Sequence, residues 1–218
     1  MTLTVTDEVG VISAPRGLLV QDVIVEPRTS SLDVAIAQAE STLRVADVRR
    51  DAALSRTRAM YRAFGVDPTR TRPSSEALLR RVRKGERLPQ VNNLVDIVNW
   101  CSVESQVPFG LYDLQRVDTH VTVRLGVTGE GYEGIRKDWV NVADRLVVAD
   151  TVGAFGNPTS DSARAMVTSN TRGVLVVLFF PAGVPDAEAD AVQGMTVNRF
   201  VTFTAGRVDP VPAAASLP

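Results

Sequence analysis

The stretch Leu88-Pro89-Gln90-Val91-Asn92-Asn93-Leu94-Val95-Asp96-Ile97-Val98-Asn99-Trp100 decides how this chain reads. Asn92 or Asn93 is suited to cap a helix. Leu94, Val95, Val98, Cys101 and Ser102 then recur at helical spacing and give that helix one buried side out to about Ser105. Asn92, Asp96 and Asn99 stand at i, i+4 and i+7, so one face carries three short polar groups. Such a face is ordinarily solvated, yet a carboxamide at Asn99 beside Val95 and Val98 is oddly placed for that. Pro108 closes the segment, and the chain changes character beyond it.

Working outward, the N-terminal side is helical. Ser30, Ser31 and Asp33 mark a helix start, with Val34, Ile36, Ala39, Leu43 and Ala46 in period to about Val48. A second helix spans Asp51 to Phe64, with Leu54, Tyr61 and Phe64 on one side and Arg56, Arg58 and Arg62 around it; Gly65 ends it. Pro68 and Pro73 bracket a linker, after which Ser74, Ser75 and Glu76 are read as capping a third helix closed by Gly85 and Pro89. Leu3–Val5 and Leu18–Val25 read as strands. On the C-terminal side, Val121–Leu125, Arg145–Val148 and Gly173–Phe180 read as strands, the last fully buried. A helix is expected from Pro185 to about Val201. The pattern predicts an α+β fold, with helices mainly in the N-terminal half and mixed β-sheets in the C-terminal half. It is expected to form a single domain over residues 1–205, with 206–218 a disordered tail.

Composition narrows the chemistry. In 218 residues there is one cysteine, Cys101, and one histidine, His120. These counts exclude an internal disulfide, a CxxC site and a multi-histidine zinc site. His120 reads as a strand-edge residue and Cys101 as a small buried hydrophobe. No cofactor and no metal is expected. With no secretory leader pattern and no apolar run longer than the seven residues Val174–Phe180, a cytoplasmic protein without membrane contact is expected. The formal net charge is −1, but Arg44–Arg87 holds 13 Lys and Arg against 5 Asp and Glu. That local +8 leaves −9 for the rest, a footprint compatible with a polyanionic partner or with a solvated arginine-rich face.

Two loops invite a functional reading. Gly129-Glu130-Gly131-Tyr132-Glu133-Gly134 spells GxGxxG, but a dinucleotide site needs that loop to open a helix facing the pyrophosphate. Only ten residues precede the next strand, and Glu130 and Glu133 would set negative charge against phosphate, so a glycine-rich hairpin is expected. Gly156-Asn157-Pro158-Thr159-Ser160-Asp161 packs four hydrogen-bonding side chains into a turn between two strands, a form able to present groups to a small polar ligand. An ordinary Asn-Pro turn accounts for the same composition.

The Leu88–Trp100 stretch, continued through Pro108 to Tyr112-Asp113-Leu114, closely resembles the signature of the tRNA-editing domain in the beta subunit of bacterial phenylalanyl-tRNA synthetase. Leu146-Val147-Val148-Ala149-Asp150, then Gly156 and Thr171, resembles its second half, and the likeness spans roughly Ser75 to Phe180. The resemblance implies that domain's fold and a role in translation quality control: hydrolysis of the ester of a misacylated tRNA. The chain lacks the other synthetase modules, so it is expected to act in trans as a stand-alone relative, not as a complete ligase. The resemblance places Asn99, Gly110 and the turn around Gly156 and Asn157 on the family's amino-acid pocket. From their position in that loop, Thr159, Ser160 and Asp161 are expected to supply replacement polar groups, with Asp161 orienting water as the catalytic residue. Arg62, Arg72, Arg80, Arg81, Arg83 and Lys84 are the expected RNA contacts, and no DNA partner is expected. The sequence departs from the family at three positions: Gly110 where a histidine is expected, Val98 where a threonine is, and Val177 near an acidic position. The opening at Gly110 is read as room for a different ligand. A non-catalytic module that binds tRNA or an amino-acid-like ligand is the alternative.

Overall fold

The computed structural model describes residues 1–136 and 138–214. Strand β1 (Thr2–Val5) and one helical turn, α1 (Asp7–Gly10), lead into β2 (Arg16–Gln21). Four helices follow: α2 (Ser30–Leu43), α3 (Val48–Ala63), α4 (Ser74–Arg83) and α5 (Asn93–Ser105). Then come β3 (Phe109–Asp113), β4 (His120–Leu125), β5 (Gly131–Glu133), β6 (Trp139–Asn141), β7 (Leu146–Asp150), β8 (Gly153–Asn157), β9 (Ser160–Asp161) and β10 (Gly173–Leu178). Helix α6 (Asp186–Thr204) and strands β11 (Arg207–Val211) and β12 (Ala213–Ala214) complete the order. The fold is α+β, as the patterning predicts.

The strands form a four-stranded sheet, β11-β2-β10-β3, a six-stranded sheet, β12-β1-β4-β7-β8-β9, and the two-stranded β5-β6 hairpin. The four-stranded sheet is the middle layer. Leu18, Val20, Val174, Val176 and Leu178 on one face join the cluster formed with α2, α4, α5 and α6. Leu175, Val177 and Tyr112 on the other face join Leu3, Val121, Val123, Leu146 and Val148 of the six-stranded sheet. Strand β10 is therefore covered on both sides, which is why Gly173–Leu178 is an uninterrupted apolar run and not an alternating one. Beyond the six-stranded sheet, Tyr132 and Val142 of the hairpin region pack on Val147, Ala149 and Ala154.

Several expectations are corrected in detail. Helix α2 stops at Leu43 rather than Val48, because Asp47 caps the next helix, accepting hydrogen bonds from the Arg49 and Arg50 amides. The N-cap of α4 is Pro73, and Ser75 and Glu76 are buried inside its first turn. Part of the expected tail is ordered: Arg207–Val211 pairs with β2 in antiparallel register, and Ala213–Ala214 with β1. Residues 215–218 lie outside those described. The GxGxxG stretch forms β5 of a hairpin, with Gly131 opposite Asn141 and Glu133 opposite Trp139. His120 is exposed at the start of β4, its Nδ1 2.9 Å from Thr2 Oγ1, and Cys101 is fully buried.

Candidate functional site

The polar residues of the Leu88–Trp100 stretch sort by what they touch. Asn92 caps α5, its carboxamide oxygen accepting from the Val95 amide. Asn93 is buried; it accepts from the Glu26 amide and donates to the Ile24 carbonyl, tying α5 to the segment before α2. Asp96 is buried against the equally buried Arg28 guanidinium at 2.9 Å and also accepts from the Val91 amide. Farther along, Asp113 accepts from Thr171 Oγ1 at 2.6 Å, joining β3 to the loop before β10. These side chains hold the fold. Asn99 is different: it is half-buried, and among the described residues its carboxamide has no hydrogen-bond partner.

Asn99 stands where two concavities meet. One is a cavity of about 510 Å³ bounded by α5, the outer strand β3, the β8–β9 turn and the Met166–Val167 segment. Val95, Val98, Phe109 and Leu111 form much of its wall, while Thr159, Ser160, Asp161 and Arg136 bring polar groups. The other is an open groove of about 580 Å³ lined by Arg72, Arg80, Arg81 and Lys84, together with Ser74, Leu78, Asn99 and Thr159, which it shares with the cavity. Arg72 and Arg81 are partnered by Glu76 and Glu86 at 3.5 and 3.1 Å, whereas among the described residues Arg80 and Lys84 form no ion pair. The spacing along α4 explains the grouping, because positions 80, 81 and 84 share one side of the helix. Arg83 leaves on another side and meets Asp51 of α3 at 3.3 Å. Arg62 is exposed on α3 and is not part of the groove.

The β8–β9 turn is built to be stiff. Asn157 accepts from the Thr159 and Ser160 amides at 2.8 and 2.9 Å, so its carboxamide oxygen is spent on the turn itself. Tyr61 of α3 donates to the Pro158 carbonyl at 2.9 Å from beneath. Tyr132 donates to the Ser160 carbonyl at 2.6 Å. Gly110 and Gly156 do not open toward the cavity: a Cβ on either would come within 2.1–2.2 Å of the Tyr112 hydroxyl. The ring of Tyr112 fills the space that a sequence reading assigns to a ligand at Gly110, and it packs edge-on against Phe155. Val177 lies directly opposite Gly110 in the β10–β3 register, so both lie on the core side of the sheet, away from the cavity. Burial pushes the Tyr112 phenol well above its ordinary range, and the negative charge of Asp161 adds to the effect. Tyr132 is pushed up by burial first and then by the same carboxylate. Asp161, paired across the ladder with Gly156, thus presents its charge between two tyrosines at the cavity wall.

The structure brings Asn99, Asn157, Thr159, Ser160 and Asp161 to one cavity and Arg72, Arg80, Arg81 and Lys84 to the adjoining groove. It sets Gly110, Gly156, Arg62 and Arg83 apart from both. Sequence reasoning missed Arg136, whose left-handed backbone (φ 54°) follows the hairpin strand, and gave Tyr112 no role beyond its place in the Tyr112-Asp113-Leu114 resemblance. Among the described residues, no three His, Cys, Asp or Glu side chains stand close enough to hold a metal ion, and no helix is long and apolar enough to cross a membrane.

The model of the B3/4 domain family matches residues 56–188, more than half of the chain and all of the elements that bound the cavity. The chain belongs to the B3/4 domain family. No curated protein matches it. Among solved structures, this B3/4 domain is similar to an N-terminal fragment of the phenylalanyl-tRNA synthetase beta-subunit from Pyrococcus horikoshii, with a TM-score of 0.51 at 10% identity. The match covers 98% of this chain and 52% of that one, so the chain spans about half the length of the solved fragment. The likeness is one of fold.

Proposed function

We propose that this B3/4 domain hydrolyses the ester of a misacylated tRNA in trans, with the aminoacyl group in the cavity and the RNA backbone along the α4 groove. One observation carries the reading: Asn99, without a partner in the fold, belongs to the apolar-walled cavity and to the basic groove at once. An aminoacylated 3′ end has that same composition, a small side chain and amine joined to a run of phosphates. Asn99 holds the amine or the ester carbonyl, and Arg72, Arg80, Arg81 and Lys84 meet phosphates. Asp161 accepts a proton from water as the water oxygen bonds to the ester carbon. The tetrahedral intermediate then collapses, the bond to the ribose oxygen breaks, and the proton passes to that oxygen. The stiff turn supports the step by holding Asp161 in place without reorganisation.

A second reading, a binding module without hydrolysis, is favoured by Val98, an apolar residue of the cavity wall at a position where the sequence resemblance expects a threonine. Release of labelled amino acid from mischarged tRNAs separates the two. The hydrolase reading expects Asp161→Asn to lower the release rate by about 10²-fold or more while melting is unchanged. Retained release in that variant removes Asp161 from the mechanism, and tight binding without release by the parent protein selects the second reading.

A further inference from the structure

We infer that the cavity accepts aminoacyl groups with an apolar side chain and discriminates against hydroxylated ones; the inference rests on the reading of this cavity as the aminoacyl site. The wall formed by α5, β3 and the segment before β10 consists of Val95, Val98, Phe109, Leu111, Met166 and Val167, none of which has a strong side-chain donor or acceptor. Three of the polar residues that border the cavity are engaged within the fold. Ser102 donates to the Val107 carbonyl at 2.7 Å, Asn157 accepts two turn amides, and Thr159 Oγ1 lies 3.2 Å from Tyr61 Oη. A hydroxyl set against this apolar wall gives up its water and meets no side-chain partner in the wall, the polar groups of Asn99, Arg136 and Asp161 belonging to the rest of the lining, whereas a methyl or phenyl group loses nothing. The size fits: about 510 Å³ lies within the range of small-molecule sites, and Met166 gives one wall an adaptable, unbranched side chain. Asn99, at the end shared with the groove, addresses the part common to all aminoacyl esters and leaves selection to the apolar wall.

The test measures binding of hydrolysis-resistant 3′-aminoacylamino-adenosines carrying phenylalanine, leucine, tyrosine or serine to the intact protein. The inference expects phenylalanine or leucine to bind about 10- to 100-fold more tightly than tyrosine and serine, the range an apolar pocket shows toward an added hydroxyl. It expects Val98→Thr, a change of nearly constant shape, to narrow the phenylalanine–tyrosine gap several-fold with unchanged melting. Tyrosine bound as tightly as phenylalanine, or more tightly, overturns the inference and leaves the site reading intact. If no analogue binds, the reading of the cavity as an aminoacyl site is overturned and the inference with it.

Discussion

Tyr112 shows how a single side chain can decide what a site is. Its hydroxyl lies so close to the Cα atoms of Gly110 and Gly156 that neither tolerates a methyl group, and its ring closes the space behind the cavity. Gly156→Ala is expected to destabilise the protein by about 1–3 kcal/mol, the usual cost of overpacking a filled core. In a Tyr112→Leu background that cost falls, because the three nearest atoms all belong to the Tyr112 side chain: Oη, Cε1 and Cζ at 2.2, 2.5 and 2.6 Å. Equal costs in chemical denaturation of the two backgrounds would show that the clash lies elsewhere. A contrast between Asp96 and Asn99 belongs to the same scale. They lie on neighbouring turns of α5, yet Asp96 is paired with buried Arg28 and Asn99 with nothing in the fold. Asp96→Ala takes from buried Arg28 its nearer carboxylate, leaving Asp33 at 3.3 Å, and is expected to cost about 1.5–3 kcal/mol, whereas Asn99→Ala leaves stability within about 0.5 kcal/mol. The sequence marked Asn99 as oddly placed beside Val95 and Val98, but the pairing of Asp96 was not legible, since helix spacing says nothing about which residue meets a partner from a distant segment.

Among elements, the helices were the most legible part of the sequence. Their apolar positions recur through three or four turns and Asn92 marks the start of α5, whereas the cap at Asp47 was missed because the apolar period runs past it to Val48. Strand β3 was missed because Phe109–Asp113 is buried throughout and only five residues long, so it shows no alternation to read. Strand β11 was assigned to a tail because it contains Pro210; the sheet accommodates that proline because β11 is an edge strand, paired only with β2. The cavity itself was not legible, because its walls come from α4, α5, β3, the hairpin, the β8–β9 turn and the segment before β10. The element with the most specific expectation attached is α4. Replacing Arg80, Arg81 and Lys84 together by alanine is expected to weaken tRNA binding and to reduce the slope of log affinity against log salt by about 2 to 3. The pair Arg62→Ala and Arg83→Ala, outside the groove, is expected to leave that slope unchanged. A slope that responds to the second set and not the first would place the RNA on another face.

The whole molecule is three layers whose middle sheet is buried on both faces, and all three tyrosines of the chain are enclosed by that packing. Burial raises the phenols of Tyr61, Tyr112 and Tyr132 above the ordinary value of 10.0. A phenol raised in the folded state favours folding in its neutral form. The contribution is complete below pH 10, where the unfolded chain is also protonated, and is lost as pH rises above it. Stability is therefore expected to fall from about pH 10 upward, with phenolate absorbance appearing together with the loss of tertiary circular dichroism. Tyrosine ionisation well before unfolding would mean that at least one of these hydroxyls is open to solvent. The same layering puts the cavity and the basic groove on one side of the molecule, joined at Asn99, so that a single ligand can occupy both.

That joining is the central claim, and the most direct test compares the affinity of the protein for one tRNA in two forms: uncharged, and carrying a hydrolysis-resistant aminoacyl amide at its 3′ end. The account predicts that the aminoacylated form binds about tenfold more tightly or better, and that Asn99→Ala removes most of the difference while leaving the affinity for uncharged tRNA and its salt dependence in place. Equal affinities for the two forms in the parent protein would contradict it, because the cavity would then play no part in whatever the groove binds.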